Sequence, residues 1–166
     1  MTTLPGILTS KKYANYAPLF LRLIIGYGFM AHGFAKLSRG PAGFEKLLTQ
    51  LGIPFPHFSS WLVPLTEFFG GVAILIGLFV QITAIPLIAV MLVAMLNVHL
   101  KYGFSSVNTI GLAPSGPLFG PPGFEIDLLY IAGLISIILT GPGAFSITKL
   151  FKKRKSMWLD RQRPVN

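Results

Sequence analysis

Long apolar blocks alternate with short polar segments along this chain of 166 residues. Four of the blocks are about twenty residues long, the length that an α-helix needs to cross about 30 Å of hydrocarbon. The pattern therefore predicts an all-α, polytopic membrane protein built as a bundle of four transmembrane helices. The predicted spans cover residues 16–37, 59–79, 82–102 and 124–140.

The segments between the spans differ in character. Residues 42–51 carry apolar side chains at helical spacing, but they are too few to cross a bilayer, so they are predicted to form a short amphipathic helix at the interface. Residues 103–123 are too rich in Gly, Pro and Ser for a helix and are predicted to form a loop. The predicted division of the chain is an N-terminal tail (1–15), a membrane domain (16–148) and a basic tail (149–166).

Composition supports the membrane interpretation, and the distribution of charge favours lipid over nucleic acid as a partner. Apolar residues make up 52% of the chain and charged residues 11%, with a mean hydropathy of +0.67. A soluble domain carries about twice that charged fraction. The net charge of +9 lies mostly outside the apolar blocks. This arrangement is typical of a topology signal or of a contact with anionic lipid headgroups, and not of a nucleic-acid site.

The distribution of lysine and arginine predicts the orientation. The two terminal tails hold nine of the fourteen basic residues, so the positive-inside rule places both termini in the cytoplasm and the 38–58 and 103–123 loops outside. The first apolar block has no signal-peptide cleavage site and is expected to remain as a span. The chain is therefore predicted to be a multi-pass protein of the plasma (inner) membrane.

Ionisable side chains within the predicted spans are the candidates for chemistry, because each costs at least about 2.5 kcal/mol near the centre of a membrane helix. Arg22 lies near the cytoplasmic end of the first span. Asp127 is expected to point away from Glu125, because two residues turn a helix by about 200°. In the predicted topology every span brings a His or Glu to the outward half of the bundle, and these residues are His32, Glu67, His99 and Glu125.

Each candidate also has a structural explanation. Glu67 could pair with an Arg or His inside the bundle, and Glu125 could stabilise a helix N-terminus. The histidines could bond to interfacial loops. As a set, two imidazoles and two carboxylates could bind zinc, manganese or iron, with His32, Glu67, His99 and Glu125 as candidate ligands. They could equally bond the carbonyl groups of a quinone and exchange protons with it. The sequence spacing does not separate these alternatives, and the absence of cysteine excludes only thiol chemistry and Cys-ligated metal centres.

Short motifs follow one another in a specific order through residues 16–148. They include Arg22-Leu23, His32-Gly33, Lys36-Leu37, Leu51-Gly52-Ile53-Pro54, Glu67 with Gly70-Gly71, His99 with Gly103-Phe104, Gly123-Phe124-Glu125, and Gly141-Pro142-Gly143-Ala144. In order and spacing these motifs resemble the DoxX family of small bacterial and archaeal membrane proteins. The resemblance implies a four-helix membrane bundle.

The resemblance also implies redox chemistry. The family name comes from a subunit of an archaeal thiosulfate:quinone oxidoreductase, and relatives are linked to redox stress, thiol homeostasis and quinone detoxification. By similarity, the family's polar residues are Arg22, His32, Glu67, His99 and Glu125.

The resulting prediction is a redox-associated membrane protein, namely a quinone-interacting subunit or accessory of a membrane oxidoreductase. Glu67, His99 and His32 are the predicted catalytic residues, and Arg22 and Glu125 are predicted to join them in binding the quinone. Whether the chain is an enzyme by itself stays open. One alternative is binding or transport of a small solute or metal ion, and another is a non-catalytic scaffold for a soluble redox enzyme. A homodimer or a complex with a redox enzyme is expected.

Overall fold

A computed structural model of the chain describes residues 11–161. Within these residues the fold is mostly helical and includes one β-hairpin. The elements are α1 (Lys11–Ala14), α2 (Ala17–Ser38), α3 (Pro41–Gln50), α4 (Pro56–Ile76), α5 (Val80–Ala94), β1 (Thr109–Ala113), β2 (Gly116–Phe119), α6 (Glu125–Thr140) and α7 (Ile147–Arg161). Helix α5 continues through a π-helical turn, Met95–His99, and a 3-10 turn, Leu100–Tyr102.

Three of the helical segments are long and apolar enough to cross a membrane: Ala17–Ser38, Pro56–Ile76 and Val80–Tyr102. Their outer faces carry large apolar side chains, and Ile24 and Ile82 are 73% and 71% exposed. Such faces suit contact with lipid, so the predicted helical membrane fold is confirmed. Helix α6 occupies the place of the predicted fourth span. Its 16 residues rise only about 24 Å, and its crossing of the bilayer stays a prediction.

The bundle is built from two main helix pairs. Helix α2 packs along α4 and α5 packs along α6, while α3 lies against α4. Gly26 of α2 and Gly71 of α4 bring the two backbones into direct contact, because a Cβ atom at Gly26 would lie 2.8 Å from the Gly71 carbonyl oxygen. The buried core comprises Ile25, Phe29, Ile74, Val80, Ala84, Leu87, Leu134 and Ile137.

Helix α4 lies three residues earlier in the chain than predicted, at 56–76 instead of 59–79. Pro56 occupies the first turn, where a missing N–H costs no helical hydrogen bond. Gly77 ends the helix with a φ of 72°, a left-handed conformation that glycine adopts without strain. The tight turn that follows lets α5 begin at Val80.

Three segments carry regular structure that the sequence did not predict, and the first is the short helix α1 in the N-terminal tail. The 103–123 loop contains the antiparallel hairpin of β1 and β2, in which Ala113 pairs with Gly116 beside the turn. The basic tail, predicted without an element, forms helix α7. The parts of the predicted tails at 1–10 and 162–166 lie outside the described residues.

Candidate ligand-binding site

Glu67 and Lys36 form an ion pair between α4 and α2. The Lys36 Nζ atom lies 2.6 Å from both carboxylate oxygens of Glu67. The Glu67 side chain is 6% exposed and that of Lys36 is 30% exposed. A carboxylate buried this deeply needs a partner to compensate for its lost hydration. The alternative that Glu67 pairs with an Arg or His is not what the structure shows, because Lys36 extends from the last turns of α2 to reach the carboxylate.

His99 and Asp127 form a second polar pair, between the end of α5 and the first turn of α6. The His99 Nδ1 atom lies 2.6 Å from Oδ2 of Asp127, whose side chain is only 2% exposed. His99 ends the π-helical turn Met95–His99. Such a turn widens the helix locally and changes the direction of the side chains that follow, and π-turns are frequent at functional sites.

Glu125 has a different environment from the one predicted. Its Oε2 atom accepts hydrogen bonds from the backbone N–H of Ser106, at 2.9 Å, and from the Ser106 hydroxyl, at 2.7 Å. Glu125 therefore attaches the loop before β1 to the start of α6. The expectation that Glu125 joins the His–Glu cluster and that Asp127 points elsewhere is corrected: the turn of the helix between them directs Asp127 inward to His99.

A cavity of about 630 Å³ lies between helices α2, α3, α4, α5 and α6. Most of its wall is apolar, with side chains such as Phe29, Leu48 and Val63. Its size suits a small organic ligand, and an apolar wall with a few polar groups is the usual composition of such sites. The main polar and ionisable side chains on the wall are His32, Lys36, Glu67, Asn97, His99 and Asp127.

Three of the predicted site residues, His32, Glu67 and His99, thus line one cavity. The sequence did not single out Lys36, Asn97 or Asp127 for this cavity. Lys36 follows His32 by four residues and shares its face of α2, which is a signal the sequence carries. Asp127 could also have been found, because a charged residue within an apolar helix is a candidate functional residue.

Arg22 does not line the cavity and has a structural environment instead. It is 1% exposed. Its Nε atom donates to the Ile74 carbonyl, and its Nη atoms donate to four further carbonyl groups. These belong to Leu75, Pro142, Ala144 and Phe145. A guanidinium has five N–H groups, so all five have a backbone acceptor and none is left for a cofactor. Arg22 joins the end of α4 to the turn between α6 and α7.

The four candidate metal ligands do not converge on one point in the part of the chain that the structure describes. No group of three or more His, Cys, Asp or Glu side chains is placed to hold a metal ion among these residues. Glu67, His99 and Glu125 each bond to a different partner: Lys36, Asp127 and Ser106.

The apolar helices and the cavity between them define a small helical integral membrane protein with a ligand-sized internal site. The chain belongs to the DoxX family, whose model matches residues 17–100. No solved structure matches the chain.

Relatives with similar sequences span nearly the same length. An uncharacterized membrane protein of Mycobacterium tuberculosis is 30% identical over 81% of this chain and 80% of its own. The inner membrane protein YqjF of Escherichia coli is 29% identical over 87% of this chain and 98% of its own. CatD of Bacillus subtilis, which carries the provisional name of an oxidoreductase, is 27% identical over 88% of this chain and 96% of its own.

Proposed function

We propose that the chain binds a quinone in the cavity between its helices and serves as a quinone-interacting component of a membrane redox system. The observation that carries the proposal is the composition of the cavity. An apolar volume of about 630 Å³ is bordered by two polar pairs, the ion pair Lys36–Glu67 and the hydrogen-bonded pair His99–Asp127. A quinone has the matching form: a flat apolar ring, an apolar tail and two carbonyl oxygens that accept hydrogen bonds.

The two pairs leave donors for those carbonyl oxygens. The Lys36 ammonium has three N–H groups, of which the two Glu67 oxygens accept two, so the third is available to a ligand. The Asp127 carboxylate faces Nδ1 of His99 and favours a proton there. In the protonated ring both nitrogens are donors, so the Nε2–H group is available to donate to a quinone oxygen and to transfer its proton there.

Quinone reduction needs both protons and electrons, and in this proposal the chain supplies the protons and a partner supplies the electrons. Reduction of a quinone to a quinol adds two electrons and two protons, one proton to each oxygen. His99 and Lys36 exchange protons but not electrons, so the electrons come from a redox enzyme bound to the chain or from a reduced substrate in contact with the quinone. The name of the B. subtilis relative supports an oxidoreductase context.

The location and topology form part of the same proposal. An inner-membrane position follows the E. coli relative, with both tails in the cytoplasm according to the positive-inside rule. The two ends of the membrane domain lie at the same end of the bundle, because the Ala144 backbone N–H donates to the Asn15 carbonyl oxygen at 2.8 Å. This contact supports placing both tails on one side of the membrane.

The test is a titration of the purified protein in lipid nanodiscs with a radiolabelled short-chain quinone, with empty nanodiscs as background. A hydrogen bond to a charged group contributes roughly 1.5–3 kcal/mol, which corresponds to a ten- to hundredfold change in the dissociation constant. His99→Ala is expected to weaken binding by about that factor. His57→Ala is the matched control, since His57 pairs with Glu45 at the surface and does not line the cavity.

Saturable binding that is equal in wild type, His99→Ala and Lys36→Met would refute a quinone site in this cavity. A complete absence of saturable binding would show that the chain does not bind this quinone and would refute the proposal. In that case the scaffold alternative would take precedence, because it predicts that the cavity residues have no effect.

A further inference from the structure

Helix α7 presents an apolar side that no described element covers. At about 100° per residue, positions 147, 150, 151 and 158 fall on one side of the helix. Leu150, Phe151 and Trp158 on this side are 61%, 56% and 57% exposed. Arg154 lies within the same side, and its long side chain can carry its charge outward past the apolar groups.

The opposite side of α7 is basic. Lys149, Lys152 and Lys153 project there and are exposed. They lie three and four residues apart, the spacing at which like charges on a helix repel one another. A helix of 15 residues is marginal in water even with a favourable sequence. A surface with negative charge and an apolar layer would reduce the repulsion between the lysines and would stabilise the helix by burying its apolar side.

The first turn of α7 is attached to one end of the bundle. The Ser146 hydroxyl donates to the Gly77 carbonyl oxygen at 2.9 Å, and the Phe79 backbone N–H donates to the Thr148 hydroxyl at 2.9 Å. The Lys149 Nζ atom donates to Asn15 Oδ1 at 2.8 Å. These bonds keep α7 beside the ends of the membrane helices.

Exposed aromatic residues mark the level of the membrane interface at this end. Phe79 and Phe145 are 58% and 78% exposed, and the Tyr16 ring lies 6.2 Å from that of Phe145. Aromatic side chains concentrate where the hydrocarbon meets the headgroups. Helix α7 therefore begins at headgroup level, only seven residues after α6 ends at Thr140.

We propose that α7 lies in the membrane interface and binds anionic phospholipid. Its apolar side enters the boundary between headgroups and acyl chains, and its lysines contact lipid phosphates. This is a second ligand surface, at the end of the bundle and separate from the cavity. A basic helix with an apolar side fits a lipid surface better than a nucleic acid, which offers no layer for Leu150, Phe151 and Trp158.

Trp158 can report on this contact directly, because Trp61 is the only other tryptophan in the sequence. Full-length protein with Trp61→Phe is reconstituted into nanodiscs of phosphatidylcholine brominated near the top of the acyl chains, with or without phosphatidylglycerol. Each lysine near an anionic surface contributes enough to change membrane binding about fivefold. Quenching of Trp158 is expected to be stronger with phosphatidylglycerol and to fall as salt is added.

Lys152→Gln/Lys153→Gln is expected to remove the dependence on phosphatidylglycerol, whereas Lys46→Gln/Lys101→Gln, with the same charge change at exposed positions elsewhere, is expected to retain it. Leu150→Ser/Phe151→Ser is expected to reduce quenching in both lipids. Quenching that is equal in the two lipids, or unchanged by Lys152→Gln/Lys153→Gln, would overturn the proposal. A response of Trp158 to added RNA without any lipid dependence would also overturn it.

Discussion

The Nδ1 atom of His99 lies 2.6 Å from Oδ2 of Asp127 and links the π-helical turn at the end of α5 to the first turn of α6. This contact holds the imidazole ring of His99 in one orientation. Asp127 is almost completely buried, whereas His99 is partly open to the cavity. In the proposed site, His99 therefore contacts the ligand and Asp127 acts through His99.

Asp127→Asn tests this relationship. It keeps the size of the side chain but replaces the carboxylate oxygens that face Nδ1 of His99 with an amide. Coupled residues interact by 0.5–3 kcal/mol, so a weakening of quinone binding of about tenfold is expected. In the double variant with His99→Ala, Asp127→Asn should add little further loss, as a titration of all four proteins would show. Independent, additive losses would mean that Asp127 does not act through His99.

Arg22 is predicted to stabilise the fold without contributing to ligand binding. Arg22→Met removes all five of its hydrogen bonds, including the two buried ones to the Ile74 and Ala144 carbonyl groups. The expected loss in the free energy of unfolding is at least about 3 kcal/mol. Arg22→Lys should lose less, because an ammonium keeps three donors.

Unfolding in a detergent titration measures the stability of these Arg22 variants. The quinone dissociation constant of the folded Arg22→Lys protein should equal that of the wild type. If Arg22→Lys lost quinone binding but kept normal stability, Arg22 would contribute to binding and the prediction would be wrong.

The close contact of α2 with α4 gives a third prediction. A Cβ atom at Gly71 would lie 2.7 Å from the Gly26 carbonyl oxygen and would also clash with the Met30 backbone nitrogen. Gly71→Ala should therefore separate the helices and cost about 1–3 kcal/mol of stability. Gly43→Ala in α3 is the control, since a Cβ atom there meets nothing within 4 Å and alanine favours a helix. Equal stability of the two variants would contradict the close contact.

The sequence predicted the helices well because crossing a membrane demands long apolar blocks, a signal that is local in the chain. The site is harder to predict, because its pairs form between helices. Which acidic residue of α6 faces inward depends on the rotation of that helix against α5, and this rotation brings Asp127 rather than Glu125 to His99. The π-turn at Met95–His99 and the partners of Arg22, 52 to 123 residues away, likewise depend on tertiary packing.

Filling the cavity should prevent ligand binding without loss of the fold. Ala94 lines the cavity, and Ala94→Trp would place an indole ring in the space assigned to the quinone. Binding is expected to fall below detection, whereas Ala31→Trp, on the exposed face of α2, should bind as the wild type does. The titration in nanodiscs measures both, and normal binding by a folded Ala94→Trp protein would exclude this cavity as the site.

The proposed topology can be tested in a sequence that has no native cysteine. Single cysteines at Ser115, in the hairpin turn, and at Ser156, in α7, are both at exposed positions. In intact cells a membrane-impermeant maleimide is expected to label Ser115→Cys but not Ser156→Cys. In inverted vesicles the labelling should be reversed. Labelling of both positions from one side would contradict the predicted topology.

Native mass spectrometry of the protein, extracted in mild detergent from the membranes of a quinone-producing host, tests the central claim most directly. The proposed site predicts the added mass of a single quinone on wild type and on His57→Ala, and its loss from His99→Ala. An unliganded mass for the wild type even after quinone is added would contradict the quinone site. An equal quinone adduct on His99→Ala would contradict it as well.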